Sequence, residues 1–402
     1  MLSCTTIIMA GGRGQRLHPL TRNRAKPAIR FGGLYRIIDF TLSNCLNSDI
    51  RRVSLLTQFA STSLERHIRN GWVHLFRPSL GEFIETRPPQ QIAGREWYEG
   101  TADSIFKNID ILRLERAKRT LILSGDHIYK MDYRKLLAFH EEVDARLSVA
   151  TVEMPLGEAH HFGVLGVDHT GKVTSFVEKS NEPPPIPGRP EFCLCNMGVY
   201  CFDTKYLMDI LEDHFRCGES GADFGNDIIP KLVDHSEPIY AYPFEDENKK
   251  DKPYWRDIGT LDAFYDANMD LVEIEPYFNL YDREWPIWNF NTQYPPAKTV
   301  FNLYGERRVG VALDSLICPG VIISGGQVEK SILSPGVRIH SYAQVHRSIL
   351  FDHVEIGRGA VVRNAIIESG VVIPEGARIY AGEPGIGERT TISDKGICVV
   401  TE

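Results

Sequence analysis

The sequence predicts an α/β domain over residues 1–274 and a parallel β-helix over 309–402, with a connector over 275–308 between them. Three observations predict this arrangement. The first two thirds of the chain alternates short apolar runs with segments of helical periodicity, the pattern of a mostly parallel sheet covered by helices on both faces. From Val309 onward, apolar residues recur every 17 positions, the mark of stacked, equivalent coils. Between the two lies a stretch rich in Pro, Tyr, Trp and Asn that follows neither period.

Taken in order, Thr5–Ala10 reads as a buried strand that breaks into Gly11-Gly12-Arg13-Gly14. Val53–Thr57, Thr120–Leu123, Arg146–Val152, Val173–Val177 and Val199–Phe202 read as further strands. In Ser104–Leu114, Ile105, Ile109 and Leu112 fall on one helical face. Leu261, Phe264, Asn268 and Leu271 do the same in a helix over 260–272, which Thr260 can cap. Pro286, Pro295 and Pro296 punctuate the connector. Beyond it four registers share the 17-residue period: Ile332, Ile349 and Ile366; Val337, Val354 and Val371; Ile339, Ile356 and Ile373; Val345, Val362 and Ile379. Ala343, Ala360 and Ala377 follow it too. Apolar positions about every five to six residues within a turn suit a three-sided coil with one short strand per side.

Composition narrows the function classes. The net charge of −8 leaves a nucleic-acid role to a local basic patch. Arg13, Arg16, Arg22, Arg24, Lys26 and Arg30 form one, but beside glycines, which suits a compact phosphate better than a duplex. None of the eight cysteines forms a C-x-x-C pair, so a zinc ribbon or dithiol motif is not expected. Cys193-x-Cys195 reads as alternate positions of a buried strand. No apolar run reaches the ~18 residues of a membrane span. The first strand begins within a few residues of Met1, so no leader is expected, and a cytoplasmic protein is the simplest reading.

The chemistry concentrates in the first domain. A glycine-rich turn after a strand lets backbone N–H groups approach a polyphosphate. Arg13, Arg16 and Lys26 can add charge-assisted bonds to its oxygens. The turn is neither a dinucleotide fingerprint, which needs glycine where Leu17 stands, nor a G-x-x-x-x-G-K-[ST] loop. Asp126, just past a buried strand, stands where open sheets bind ligands and can hold Mg²⁺ against a triphosphate. Asp257 is its natural partner, with helix capping as the alternative. Glu178 and Lys179 end an apolar strand; they can hold a sugar phosphate, or be a solvated strand end. His127 is read as structural, because a phosphate monoester needs no general base at neutral pH.

Together these residues resemble the glucose-1-phosphate adenylyltransferase family over nearly the whole chain. The motifs are GGRGQRL, RAKPA, FGGLYRIIDF, LSNC-x-NS, WYEGTADS, SGDHIYKMDY, FGV, FVEK, YWRDIGT and WPI. The resemblance implies a glycosyltransferase-A-like (Rossmann-like) nucleotidyltransferase domain, a left-handed β-helix and a homotetramer. It implies ATP and glucose 1-phosphate as substrates, Mg²⁺ as cofactor, and no nucleic-acid or membrane partner. It implies that Gly11, Gly12, Arg13, Gly14, Gln90 and Tyr98 bind nucleotide, that Arg16, Lys26, Asp126 and Asp257 are catalytic, and that the two Asp hold the metal. Gly163, Glu178, Lys179 and Asn196 would bind the sugar side of substrate or product.

Two departures stand out. Asn196-Met197-Gly198 replaces the family's usual Ser-Met-Gly. Asn23, Glu388 and Ile392 stand where several bacterial members carry basic residues, although Arg24, Arg30, Arg36, Arg389 and Lys395 remain nearby. Small effectors such as sugar phosphates, AMP or phosphate are expected, with a weak response to fructose 1,6-bisphosphate. The rival readings are another nucleoside triphosphate or sugar phosphate, a non-catalytic nucleotide-binding subunit, and an acyltransferase using His340, His346 or His353.

Overall fold

The computed structural model describes residues 4–89, 97–217, 223–290, 292–303, 308–383 and 387–401. In the first domain the strands are β1 (Cys4–Ala10), β2 (Arg52–Thr57), β3 (Phe83–Arg87), β4 (Arg119–Ser124), β5 (His127–Tyr129), β6 (Leu147–Pro155), β7 (Gly163–Val167), β8 (Val173–Glu178), β9 (Phe192–Asp203), β10 (Ile239–Pro243) and β11 (Trp255–Asp257). The helices are α1 (Ile37–Asn47), α2 (Thr62–Gly71), α3 (Thr101–Phe106), α4 (Asp110–Glu115), α5 (Tyr133–Glu142), α6 (Thr204–Arg216), α7 (Ile229–Asp234) and α8 (Leu261–Met269).

The central sheet has nine strands in the order β8-β7-β9-β4-β1-β2-β3, with β6 also on β9 and β10 on β6. It is mixed rather than mostly parallel. β1, β2, β3 and β4 run parallel, but the long β9 runs against β4, β6 and β7. Both faces are covered, as alternation in β1 requires. Ile8 packs with α1, α2 and α5 through residues such as Leu42, Ile68 and Leu136. Its neighbour Ile7 packs on the opposite face with Ile105, Leu112, Leu211 and Ile229.

The helix expected over 104–114 is interrupted. α3 ends at Phe106 and α4 starts at Asp110, although Ile105, Ile109 and Leu112 are all buried in one core. The Asn108 amide closes on the Ser104 carbonyl at 2.8 Å and on the Tyr98 hydroxyl at 2.9 Å. Side-chain bonding of this kind competes with the helical ladder. Thr260 does cap α8, its hydroxyl accepting from the Ala263 N–H at 3.1 Å.

The C-terminal part is a three-sided parallel coil. Ile332 pairs with Ile349 and Ile349 with Ile366; Val345 pairs with Val362 and Val362 with Ile379. Ile339, Ile356 and Ile373 stack likewise. The registers do not all face inward. Val337, Ile339, Val345 and their repeats fill the interior. Ile332, Ile349 and Ile366 point out and form an apolar stripe against the first domain. That stripe, with Phe351 and Val399, shares one core with Leu17, Leu20, Ile29, Phe31 and Phe264. Arg30 to Asp352 (2.7 Å), Arg24 to Glu368, and Lys395 to Asp266 (2.8 Å) surround it.

Within 275–308, read from sequence as a connector, Lys298–Val300 forms the first strand of one coil face. Upstream, the WPIW segment lies along α1. Trp285 Nε1 donates to Asn44 (2.9 Å), and Trp288 Nε1 to Asn47 (2.8 Å). All eight cysteines are free and seven are buried. The Cys193 and Cys195 sulfurs lie 3.9 Å apart on one face of β9, as their alternation predicts. Among the described residues no helix is long and apolar enough to cross a membrane.

Candidate active site

The site is built where β1 and β4 end side by side in the sheet. After Ala10 the chain turns through Gly11–Gly14 into a short helical turn, Gln15–Leu17. Gly14 has φ +60°, and a Cβ there would crowd Thr21 Cγ2 at 3.0 Å and Lys26 Cβ at 3.1 Å. Glycine is therefore required for the fold at this position. Gly12 differs: a Cβ there would meet nothing within 4 Å. Its bare backbone leaves room for a group approaching from outside the chain. Arg13 and Arg16 are exposed and make no ion pair among the described residues. The Arg16 guanidinium reaches Gly259, lying 3.1 Å from where a Cβ on that residue would be.

Gly125 lets the chain pass from β4 into β5. A Cβ there would lie 2.9 Å from Ile38, 3.0 Å from Ile8 and 3.1 Å from the Met9 carbonyl oxygen. This passage places Asp126, whose carboxylate accepts from the Ser124 hydroxyl. Asp257 arrives from 131 positions away through a two-stranded ribbon in which it pairs with His127. The two carboxylates converge on Lys26, which is 7% exposed. Its ammonium stands 2.7 Å from Asp126 Oδ2 and 3.1 Å from Asp257 Oδ1. Burial works against this ammonium, but the two carboxylates outweigh it and hold its pKa above the ordinary lysine value. Burial also opposes the charge on Asp126. Lys26, then His127, overcome it and hold that carboxyl well below the usual range.

Gly11, Gly12, Arg13, Gly14, Arg16, Lys26, Tyr98 and Asp126 all line one cleft of about 790 Å³, a volume ordinary for a small-molecule site. Tyr98 is pinned, its N–H donating to Gln58 Oε1 at 2.8 Å and its hydroxyl accepting from Asn108. Gln90 lies outside the described residues. Among the cleft residues given no role from sequence are Thr101 and Asp223. The Thr101 hydroxyl donates to Asp223 Oδ2 at 2.9 Å and accepts from the Phe224 N–H at 3.0 Å. An acid followed by Phe-Gly after a helix was the available signal for Asp223.

The residues expected on the sugar side gather on β7, β8 and β9, with Lys179 just past the end of β8. Glu178 pairs across strands with Gly163, where a Cβ would strike the Glu178 carboxylate at 2.5 Å and the Phe176 ring at 2.6 Å. Gly163 therefore makes room for Glu178. The same carboxylate lies 3.2 Å from the Cβ position of Gly225, beside Asp223, which links this region to the cleft. Lys179 is exposed, with its ammonium 3.2 Å from Glu178 Oε1. Asn196 spans an irregularity in β9. Its amide donates to the Tyr200 hydroxyl at 2.8 Å and accepts from the Gly198 N–H at 2.9 Å.

This arrangement can cradle a polyphosphate at the turn while two carboxylates face it. Comparison with known proteins agrees. Residues 5–274 match the nucleotidyl transferase family model, and residues 295–400 match the GlmU-like C-terminal hexapeptide model. A glucose-1-phosphate adenylyltransferase of Rhodopirellula baltica is 48% identical over all of this chain and 90% of its own length. One of Shewanella baltica is 47% identical over 98% of this chain and 94% of its own. Glucose-1-phosphate adenylyltransferase 2 of Vibrio parahaemolyticus is 50% identical over all of this chain and 99% of its own.

The chain belongs to the glucose-1-phosphate adenylyltransferase family.

The N-terminal part is a nucleotidyltransferase domain and the C-terminal hexapeptide coil is a left-handed β-helix. The chain is thus a nucleotidyltransferase, an enzyme class that generally works with a divalent cation. The site fits such an ion. Asp126, His127 and Asp257 place possible ligand atoms within 4.8 Å of one another, and two carboxylate oxygens already converge on one positive centre, the Lys26 ammonium.

Proposed function

We propose that the enzyme converts ATP and α-D-glucose 1-phosphate to ADP-glucose and diphosphate, supplying the glucosyl donor for glycogen or a starch-like α-glucan. The observation that carries this reading is one cleft lined by the open Gly11–Gly14 turn, Arg13 and Arg16, Lys26 and Asp126, with Asp257 held to it through Lys26. A phosphate oxygen of glucose 1-phosphate attacks the α-phosphorus of ATP. The bond to the β-phosphate's bridging oxygen breaks opposite it, and diphosphate leaves. No residue need form a covalent bond. Arg13, Arg16 and the backbone of the turn hold the triphosphate; Glu178, Lys179 and Asn196 hold the glucosyl phosphate. Asp126 and Asp257 would hold Mg²⁺, which when bound supplies neutralisation of phosphate charge. Catalysis is then positioning and electrostatic preorganisation.

Diphosphate release from a panel of nucleoside triphosphates and sugar 1-phosphates tests the reading. ATP with glucose 1-phosphate should give the highest kcat/KM; a clear preference for UTP or GTP overturns it. Lys179 offers a finer check. Its ammonium is exposed and meets only Glu178 among the described residues. Lys179→Ala should mainly raise KM for glucose 1-phosphate and leave kcat less changed, the pattern of lost uniform binding. A rise in KM for ATP instead would move Lys179 to the triphosphate side.

The active form is proposed to be a cytoplasmic homotetramer responding to small anionic effectors. Arg24 and Arg30 already pair with Glu368 and Asp352 across the two domains. Ile392, which replaces a base found in several relatives, is exposed. A doubly phosphorylated ligand would have to compete for those arginines with too few others to replace them. Fructose 1,6-bisphosphate should therefore activate weakly or not at all. Strong micromolar activation in initial-rate assays at subsaturating ATP would contradict this.

A further inference from the structure

We propose that the His127 imidazole is a third protein ligand of the divalent cation, completing a site of two carboxylates and one nitrogen. The proposal rests on Asp126 and Asp257 being the metal carboxylates. Its first support is the far side of the ring. His127 Nδ1 lies 3.1 Å from the Met197 carbonyl oxygen. A carbonyl only accepts, so Nδ1 carries a proton, and in the neutral ring Nε2 is then the nitrogen that offers its lone pair. A backbone carbonyl on the far nitrogen is the usual way a ligating imidazole is oriented.

The near side supplies the second. Nε2 is 3.6 Å from Asp126 Oδ1 and 3.8 Å from Asp257 Oδ1, beyond hydrogen-bond reach of either. Nε2 thus faces both carboxylates without a hydrogen bond to either, while Lys26 holds Asp126 Oδ2 and Asp257 Oδ1 and would have to yield them to an ion. Bonds of about 2.1 Å to one ion would close those gaps with small movements. The ring is also held in place. Trp255 packs edge to face on it at 5.1 Å between centroids. Gly198, with φ +66°, bends β9 beside the Met197 carbonyl, with His127 Cε1 at contact distance, 3.5 Å from where a Cβ there would be. One nitrogen among oxygens favours Mn²⁺ and Co²⁺ over Mg²⁺, and disfavours Ca²⁺, which takes more oxygens at longer range.

Mn²⁺ is the probe. Full-length protein carrying ¹⁵N-labelled histidine, loaded with Mn²⁺ and a non-hydrolysable ATP analogue, should show a directly bound ¹⁵N coupling by electron–nuclear double resonance. Because the label is only on histidine, adenine nitrogens do not interfere. His127→Gln should abolish the coupling and weaken Mn²⁺ binding on the order of 10-fold, with a smaller loss for Mg²⁺. No ¹⁵N coupling in the wild-type protein overturns the proposal, and that result needs no variant to fold. A coupling that survives in folded His127→Gln overturns it too. Mn²⁺ binding that Asp126→Asn removes, but that carries no nitrogen coupling, would keep the carboxylate site and exclude only the histidine.

Discussion

Asp126→Asn should lower kcat on the order of 10²-fold or more, the scale of losing one preorganised charged contact, while the protein stays folded. The amide keeps the carboxylate's shape and can still accept from the Ser124 hydroxyl. Lys26 is not orphaned, because Asp257 remains 3.1 Å from its ammonium. What disappears is one of the two negative charges that face the cleft. Rates at saturating ATP and glucose 1-phosphate, with thermal unfolding measured alongside, decide the matter. A folded variant with near-normal kcat would remove Asp126 from the reaction.

The second large effect lies far from the chemistry. Phe351→Ala should destabilise the protein by about 3–5 kcal/mol, the usual cost of emptying a buried phenylalanine site. Phe351 is 1% exposed and meets Phe264 of α8 edge to face at 6.4 Å between centroids. It belongs to the core shared with Leu17, Leu20 and Phe31, on the arm that runs from the glycine turn. The loss should therefore appear as an earlier unfolding transition of the whole chain in urea, monitored by tryptophan fluorescence. A change confined to a separate β-helix transition would mean that the two parts do not share a core.

Much of this was legible in the residues, for identifiable reasons. The glycine turn, Lys26, Asp126 and Asp257 stand in compact motifs whose chemistry is local to a strand end. The coil announced itself because each layer repeats the same side chains, so Ile349 in the sequence already implies Ile332 below and Ile366 above. The outward direction of that one register was not legible: a buried position reads the same whether it faces the coil or a docked neighbour. Strand direction was lost for a similar reason. Val199–Phe202 is a short apolar run, and nothing in such a run says that β9 lies against β4 rather than along it. Asn108 ended a helix whose apolar period continued unbroken through it. The Thr101–Asp223 pair needed the fold, since 122 positions separate the two side chains.

The lysine between Asp126 and Asp257 gives this enzyme a counter-ion of its own. A site that depends on its metal for shape comes apart under a chelator, because bare carboxylates repel one another. Here the chain supplies a tethered positive charge to both carboxylates, so Lys26 itself holds Asp126 and Asp257 together. A divalent cation taking the same oxygens would have to displace that ammonium. Nucleotide phosphates bound beside it would offer the displaced ammonium other partners.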